Sequence, residues 1–345
     1  MNASSATPLV SVVVVNRNGA AWLRECLDSV TAQRGVSFEL IVVDNGSTDE
    51  SVAVVQGLTE PGVHLIRLPR NEGFAAGCNR GIQEARGEWI ALLNNDAVAD
   101  PDWLSEMAAC AARHPGVGMV ACKILEYGTD RIDKAGHLMF PDGQNRGRGT
   151  GAADGPRFSQ EEEALFPDGC AALYRRELFE ETGGFDESFF AYGDDADLGL
   201  RARWLGWRCV YCPSAVVRHR HSATVGELSS CQVYWIERNR IWLAVKVLPF
   251  PLLVLNPVFT LYRWGWNLAA VVLRRGPAGE YHLRRGWTRL VRVTLYACAD
   301  GLRGVSRSRR ARRELWPRRR LNSRQMMRLL WRFRISGRVL ALGDR

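Results

Sequence analysis

Four short runs of consecutive apolar, mostly β-branched residues, alternating with stretches of helical spacing, limit the fold of this chain more than any other feature. The runs are residues 9–15 (LVSVVVV), 39–44 (ELIVVD), 63–68 (VHLIRL) and 89–93 (WIALL). Continuous apolar runs of this length suit strands buried on both faces of a parallel sheet. Residues 21–32, 49–56 and 73–85 carry helical spacing, and Ser47, Thr48 or Asp49 can cap the second of these helices. The βαβαβα alternation predicts an α/β fold with helices on both faces and a ligand site at the carboxyl ends of the strands.

Beyond this region the pattern changes twice. From about Lys123 to Phe166 it dissolves into Gly, Asp and Arg, which reads as a long functional or mobile excursion on the core. Helices are expected again over 177–182, 195–205 and 232–245, with a short strand at 209–211. Between Lys246 and Arg274 the only charged residue is Arg263, and the uncharged run 247–262 holds Pro249, Pro251 and Pro257. Spanning a bilayer takes about 20 apolar residues, so a re-entrant or interfacial segment is expected there, with a buried helix pair as the alternative. The boundary between a first domain, 1–240, and a helical, membrane-associated region, 241–345, is placed accordingly.

Charge separates the same two parts. Residues 274–345 hold 21 Arg, no Lys and four acids, a net charge of +17, whereas residues 1–273 carry −8. Two such regions are expected to meet different partners, and an Arg tail interleaved with Trp, Leu and Met suits an anionic phosphate surface. Lipid headgroups and nucleic acid both present one. The nine Cys form no dense framework, which predicts buried reduced thiols in a reducing compartment. Cys209 and Cys212 make a lone CxxC on a predicted strand, which would point them to opposite faces and away from a shared zinc. The N-terminus has no basic n-region, and no secretion signal is expected.

Polar residues gather where the strands end. Asn16 follows the first strand, Asp44 and the turn NGSTD follow the second, and Asn94, Asn95 and Asp96 follow the fourth. A carboxylate at such an edge can accept from a base or ribose, and one beside a diphosphate can hold a divalent ion. Taken singly, each motif serves equally well as a turn or helix cap. Asp194, Asp195 and Asp197 crowd the start of a helix, where capping needs one of them and crowding raises a pKa towards general-base use. His219 and His221, two residues apart, would share a face of an extended segment, and either could complete a metal site.

In this order, VSVVVVNRNGAAWLRECLDSV, VVDNGSTD, NEGFAAGCNRGI, WIALLNNDA, GGFDESFFAYGDDADLGLRARWLGW and RHRHSAT resemble the family-2 inverting glycosyltransferases, nearest to their bacterial rhamnosyltransferase-like branch. The resemblance covers residues 9–245 and implies a GT-A fold, a Rossmann-like nucleotide-binding mixed sheet flanked by helices, followed here by the hydrophobic and basic helical extension. It implies a nucleotide-diphosphate sugar bound by Asn16, Asp44, Gly73, Asn79, Asn94 and Asn95. It further implies Mg²⁺ or Mn²⁺ held by Asp96 with His219, or His221 in its place, and a catalytic pair Asp194 and Asp195 with Asp195 as general base. Asn94 stands where the family's metal motif begins with an acid, which removes one charge from the site. The implied reaction moves a rhamnose-like or hexose sugar to a glycan or lipid-linked acceptor in surface polysaccharide synthesis, at the cytoplasmic face of the bacterial inner membrane. Expected partners are the donor, the acceptor and an anionic membrane surface, with no nucleic acid. The alternative is a non-catalytic sugar-nucleotide or glycan binder on the same fold.

Overall fold

In the computed structural model, which describes residues 7–58, 62–220 and 229–343, the four apolar runs form β1 (Val10–Asn16), β2 (Phe38–Asn45), β3 (Val63–Leu68) and β4 (Trp89–Asn94). They are mutually parallel, in the order β3-β2-β1-β4. Helices α1 (Ala20–Thr31), α2 (Ser51–Gln56) and α3 (Phe74–Glu84) connect them. Val13 and Val15 of β1 enter one apolar cluster while Val10, Val12 and Val14 enter the other, so the strand is covered on both faces. Register then places Asn16 beside Asp44, and Val15 beside Asn94, at one edge of the sheet.

The chain continues through β5 (Ala97–Ala99), α4 (Trp103–Arg113), β6 (Val117–Glu126), β7 (Ile132–Lys134), β8 (His137–Met139), β9 (Asn145–Gly147), β10 (Glu162–Glu163) and β11 (Ala171–Arg175). After α5 (Arg176–Thr182) and α6 (Asp194–Trp204) it returns as β12 (Arg208–His219). The result is one ten-stranded mixed sheet ordered β3-β2-β1-β4-β11-β6-β12-β10, with β5 also on β12 and β7 on β6, plus a separate β8–β9 hairpin. Two expectations change here. Residues 123–166, expected to be a long functional or mobile excursion, form a succession of strands too short to show a period. The strand expected at 209–211 runs on to His219, because a register shift between Cys212 and Val216 carries it past Pro213 and Ser214.

Among the described residues seven α-helices follow: α7 (Ser230–Val247), α8 (Phe250–Leu273), α9 (Gly276–Arg285), α10 (Trp287–Arg303), α11 (Val305–Leu315), α12 (Ser323–Arg332) and α13 (Gly337–Leu342). Over 247–262, where a re-entrant or interfacial segment is expected, α7 ends at Val247 and α8 runs unbroken from Phe250, with Pro251 in its first turn and Pro257 inside it. Pro251 sits where no intrahelical N–H partner is needed. Arg263 of α8 is buried and donates to Asp142 at 2.7 Å and to both oxygens of Glu237 at 2.6 and 2.9 Å. Among the described residues no helix is long and apolar enough to cross a membrane. Phe250, Val254, Val258, Leu261, Leu268 and Val272 nevertheless recur at helical spacing on one exposed stripe of α8.

Leu315, Met326, Leu330 and Phe333 share an apolar cluster with sheet residues, so the helical part packs on the body. Some of the tail's charge is spent there. Arg320 pairs with Glu181 at 2.7 Å and Arg332 with Glu163 at 2.6 Å, so the basic and acidic regions meet one another. All nine cysteines are free thiols and seven are buried, with Cys209 and Cys212 in opposite core clusters.

Candidate active site

A cavity of about 720 Å³ opens at the carboxyl ends of β1, β2 and β4 and is closed on the other side by the α6 N-terminus and α7. Asn94, Asn95, Asp96, Gly73, Asp194, Asp195 and His219 all line it. Asn16 and Asp44 are not among the lining residues. They lie buried just beneath, where Asn16 accepts from the Asn95 amide at 2.7 Å and donates to Asp44 at 3.4 Å and Ser47 at 3.2 Å. Asn45, itself buried, lines the cavity instead, donating to the Gly73 carbonyl at 2.9 Å and accepting from Glu72 N–H at 2.8 Å. Gly73 has φ +93°, and a Cβ there would come within 2.7 Å of Phe190, so only glycine lets the loop before α3 approach this wall. Asn79 faces away from the cavity lining: it donates to the Phe185 carbonyl and Glu187 and accepts from Phe185 N–H, fastening α3 to the turn before α6.

Strand pairing brings the first charged cluster together. His219, the last residue of β12, pairs with Ala97, which sets its ring beside Asp96. Nε2 of His219 lies 3.3 Å from Asp96 Oδ1, and Nδ1 donates to Asp133 Oδ2 at 2.8 Å. All three side chains are buried. Burial works against charge on His219, but Cys170, Asp133 and Asp96 raise its proton affinity well above the ordinary imidazole value. A carboxylate oxygen and an imidazole nitrogen about 3 Å apart suit adjacent ligands of one divalent ion, each about 2.0–2.2 Å from it. With Nδ1 engaged by Asp133, Nε2 is the nitrogen turned towards Asp96, and a divalent ion that displaces its proton fits this pair. His221, the alternative ligand, lies outside the described residues.

The second cluster surrounds the start of α6. Gly193, at φ +77°, turns the chain so that Asp194 and Asp195 open the helix on the cavity wall. Asp195 accepts from Ala196 N–H at 2.7 Å and Gly169 N–H at 3.3 Å, and its Oδ2 lies 3.8 Å from His137 Nε2. Burial, then the Asp195 charge, pushes the Asp194 carboxyl up to about 8, so Asp194 holds a proton at neutral pH. Asp195 is also raised, by burial above all, and His137 opposes the rise. Asp197 points into the core instead, paired with Arg201 at 2.8 Å and Lys246 at 2.9 Å.

Four residues of this site, Asp133, Lys134, His137 and Asp168, carry no sequence signal of their own. His137 stacks on Phe166 and meets Asp168 at 2.8 Å, and Lys134 meets Asp168 at 3.1 Å. Burial disfavours the Asp168 carboxylate, yet Lys134 and His137 outweigh it and hold the carboxyl well below its usual range. One wall therefore offers a basic carboxylate and the other a carboxylate–imidazole pair suited to a cation. A cavity so lined can deprotonate a hydroxyl while an anionic leaving group is held across from it.

The chain matches the model of glycosyl transferase family 2 over residues 11–183. It is 33% identical over 267 residues to an O-antigen biosynthesis protein of Myxococcus xanthus, covering 74% of this chain and 20% of that protein. It is 29% identical over 243 residues to an N-acetylglucosaminyl-diphospho-decaprenol L-rhamnosyltransferase of Mycobacterium tuberculosis, covering 64% of this chain and 78% of that one. The chain spans a quarter or less of the length of the first curated relatives it matches. Among solved structures, a mannosyltransferase of Pyrobaculum calidifontis in complex with GDP-Man and Mn²⁺ superposes with a TM-score of 0.55 at 21% identity, over 86% of this chain and 88% of that one. That likeness shows the shared GT-A fold.

Proposed function

The chain belongs to glycosyl transferase family 2, and from that premise we propose that it moves a rhamnose-like or hexose sugar from a nucleotide-diphosphate donor to a hydroxyl of a lipid-linked or glycan acceptor, with inversion. One observation carries the reading: Asp195 and the Asp96–His219 pair line the same cavity. The acceptor O–H gives its proton to Asp195 as its oxygen bonds to the anomeric carbon, and the bond from that carbon to the diphosphate oxygen breaks with its electron pair on the leaving nucleotide. Gly169 and Ala196 N–H groups hold the Asp195 carboxylate in place, while Asp194, kept protonated, adds no competing charge. Asn45, Asn94, Asn95 and the Gly73 backbone lie where a nucleotide would rest, and Asn16 and Asp44 brace them from below. Asp96 and His219 would hold Mg²⁺ or Mn²⁺, which supplies charge stabilisation to the departing diphosphate.

The names of the relatives support bacterial surface polysaccharide synthesis as the setting. The exposed apolar stripe of α8 and the arginines around it support a seat on the cytoplasmic membrane surface, with residues 241–345 as the membrane-associated part. Purified protein should release one nucleoside diphosphate from dTDP-rhamnose, or from a UDP- or GDP-sugar, when given Mg²⁺ or Mn²⁺ and a bacterial lipid extract. Tight nucleotide binding without release from any donor would leave a sugar-nucleotide binder instead.

A further inference from the structure

A second cavity, of about 650 Å³, adjoins the first and shares Trp235 and Cys231 with it. Its outer wall is α10, where Arg289, Arg292 and Tyr296 stand three and four residues apart and so share a face. No carboxylate lines this cavity among the described residues. Ser230, at the start of α7, meets the Tyr281 hydroxyl at 2.8 Å and accepts from Arg289 Nε at 3.1 Å, which orients that guanidinium. At the junction Trp235 packs against Phe190 and Tyr192, with ring centroids 5.2 and 6.3 Å apart, forming an aromatic shelf that leads to Asp195. Phe190 and Tyr192 both hold positive φ, 67° and 66°, a conformation costly for aromatic residues, and it places them on this shelf. Beyond the arginines α10 exposes Leu295 and Tyr296.

We propose that this second cavity is the acceptor's phosphate site: Arg289 and Arg292 bind the diphosphate of a prenyl-diphosphate-linked sugar whose ring lies on Trp235 and whose hydroxyl reaches Asp195. The proposal rests on the transferase reading and names the acceptor class within it. Two guanidiniums one helical turn apart, in a groove that no carboxylate lines among the described residues, match two linked phosphoryl groups, which take bidentate donors. The shelf offers flat apolar faces to a sugar ring, and Leu295 and Tyr296 offer apolar surface to the first isoprene units.

Cys231, exposed at the junction, gives a readout that needs no turnover. The full chain in non-ionic detergent is treated with a thiol alkylating reagent, and modification of Cys231 is followed by mass spectrometry with farnesyl diphosphate, farnesol or phosphatidylglycerol vesicles present. Farnesyl diphosphate should slow alkylation at least tenfold in the natural protein and in the R309A/R310A control, which removes the same charge from α11. It should give less than twofold protection in R289A/R292A, while UDP binding is retained. Equal protection in R289A/R292A, or equal protection by farnesol, overturns the phosphate site, and equal protection by phosphatidylglycerol assigns the arginines to phospholipid headgroups instead. Because no donor is present, failure here is distinct from failure to release nucleotide.

Discussion

The sheet half and the helical half both bury charge, and they treat it in opposite ways. At the cavity, among the described residues, five carboxyl groups (Asp96, Asp133, Asp168, Asp194 and Asp195) crowd together and outnumber Lys134, His137 and His219 set among them, with Arg17, Arg146 and Arg240 elsewhere on the lining. Where α7 and α8 join the β8–β9 hairpin, Asp142 and Glu237 meet Arg240 and Arg263, two against two. Unbalanced buried charge shifts proton affinities and invites a cation, which is what chemistry requires. Balanced buried charge fixes geometry, because breaking a pair leaves its partner uncompensated.

The largest effect expected from this contrast is catalytic. Asp195→Asn should lower turnover by about 10²–10⁴ while nucleotide binding and thermal stability hold. Measured kcat beside nucleotide Kd would decide it, and undiminished turnover would remove Asp195 from its role. Glu237→Gln should do the reverse. It leaves Arg263 half-paired in the interior and should cost about 3–5 kcal/mol in urea unfolding, with nucleotide affinity unchanged in the folded protein.

Acidity separates the halves further. Arg263 and Arg240 overcome burial and hold Glu237 down to about 2, so the stability it contributes is present above its unfolded value and lost as pH falls towards 2. Asp194 carries the opposite sign. Its folded form keeps a proton that the unfolded chain releases near 4, so stability should fall as pH climbs from about 4 to about 8, by at most about 1.4 kcal/mol per pH unit. Asp194→Asn should flatten that slope relative to the natural protein in unfolding measured across this range. A smaller effect is expected at the surface, where Arg320→Ala removes an exposed pair with Glu181 and should change stability by about 0–1 kcal/mol.

The legible part of the sequence was the part governed by local pattern. Apolar runs gave the four parallel strands, and reading their last residues placed Asn94, Asn95 and Asp96 at the cavity. Asp133, His137 and Asp168 were not legible, because nothing near them in sequence marks them. They meet through the pairing of β7 on β6, the separate β8–β9 hairpin and the turn before β11. Asp44 and Asn16 show the complementary limit: their positions at strand ends were readable, but whether each side chain faces the cavity or braces its floor depends on Asn95 and Ser47. In the helical half, the run with three prolines is read as a re-entrant or interfacial segment or a buried helix pair, and the prolines fall one just before α8, one in its first turn and one, Pro257, inside it.

Arg263 also settles how α8 can lie. Rolling this helix about its axis would drag a guanidinium off two carboxylates in a dry interior, so its buried side is keyed to the β8–β9 hairpin above the cavity. The opposite stripe is thereby a keel with a single heading. On the membrane seat proposed above, the cavity would stand at one height and one tilt over that plane, and an acceptor held in it would approach from one direction only.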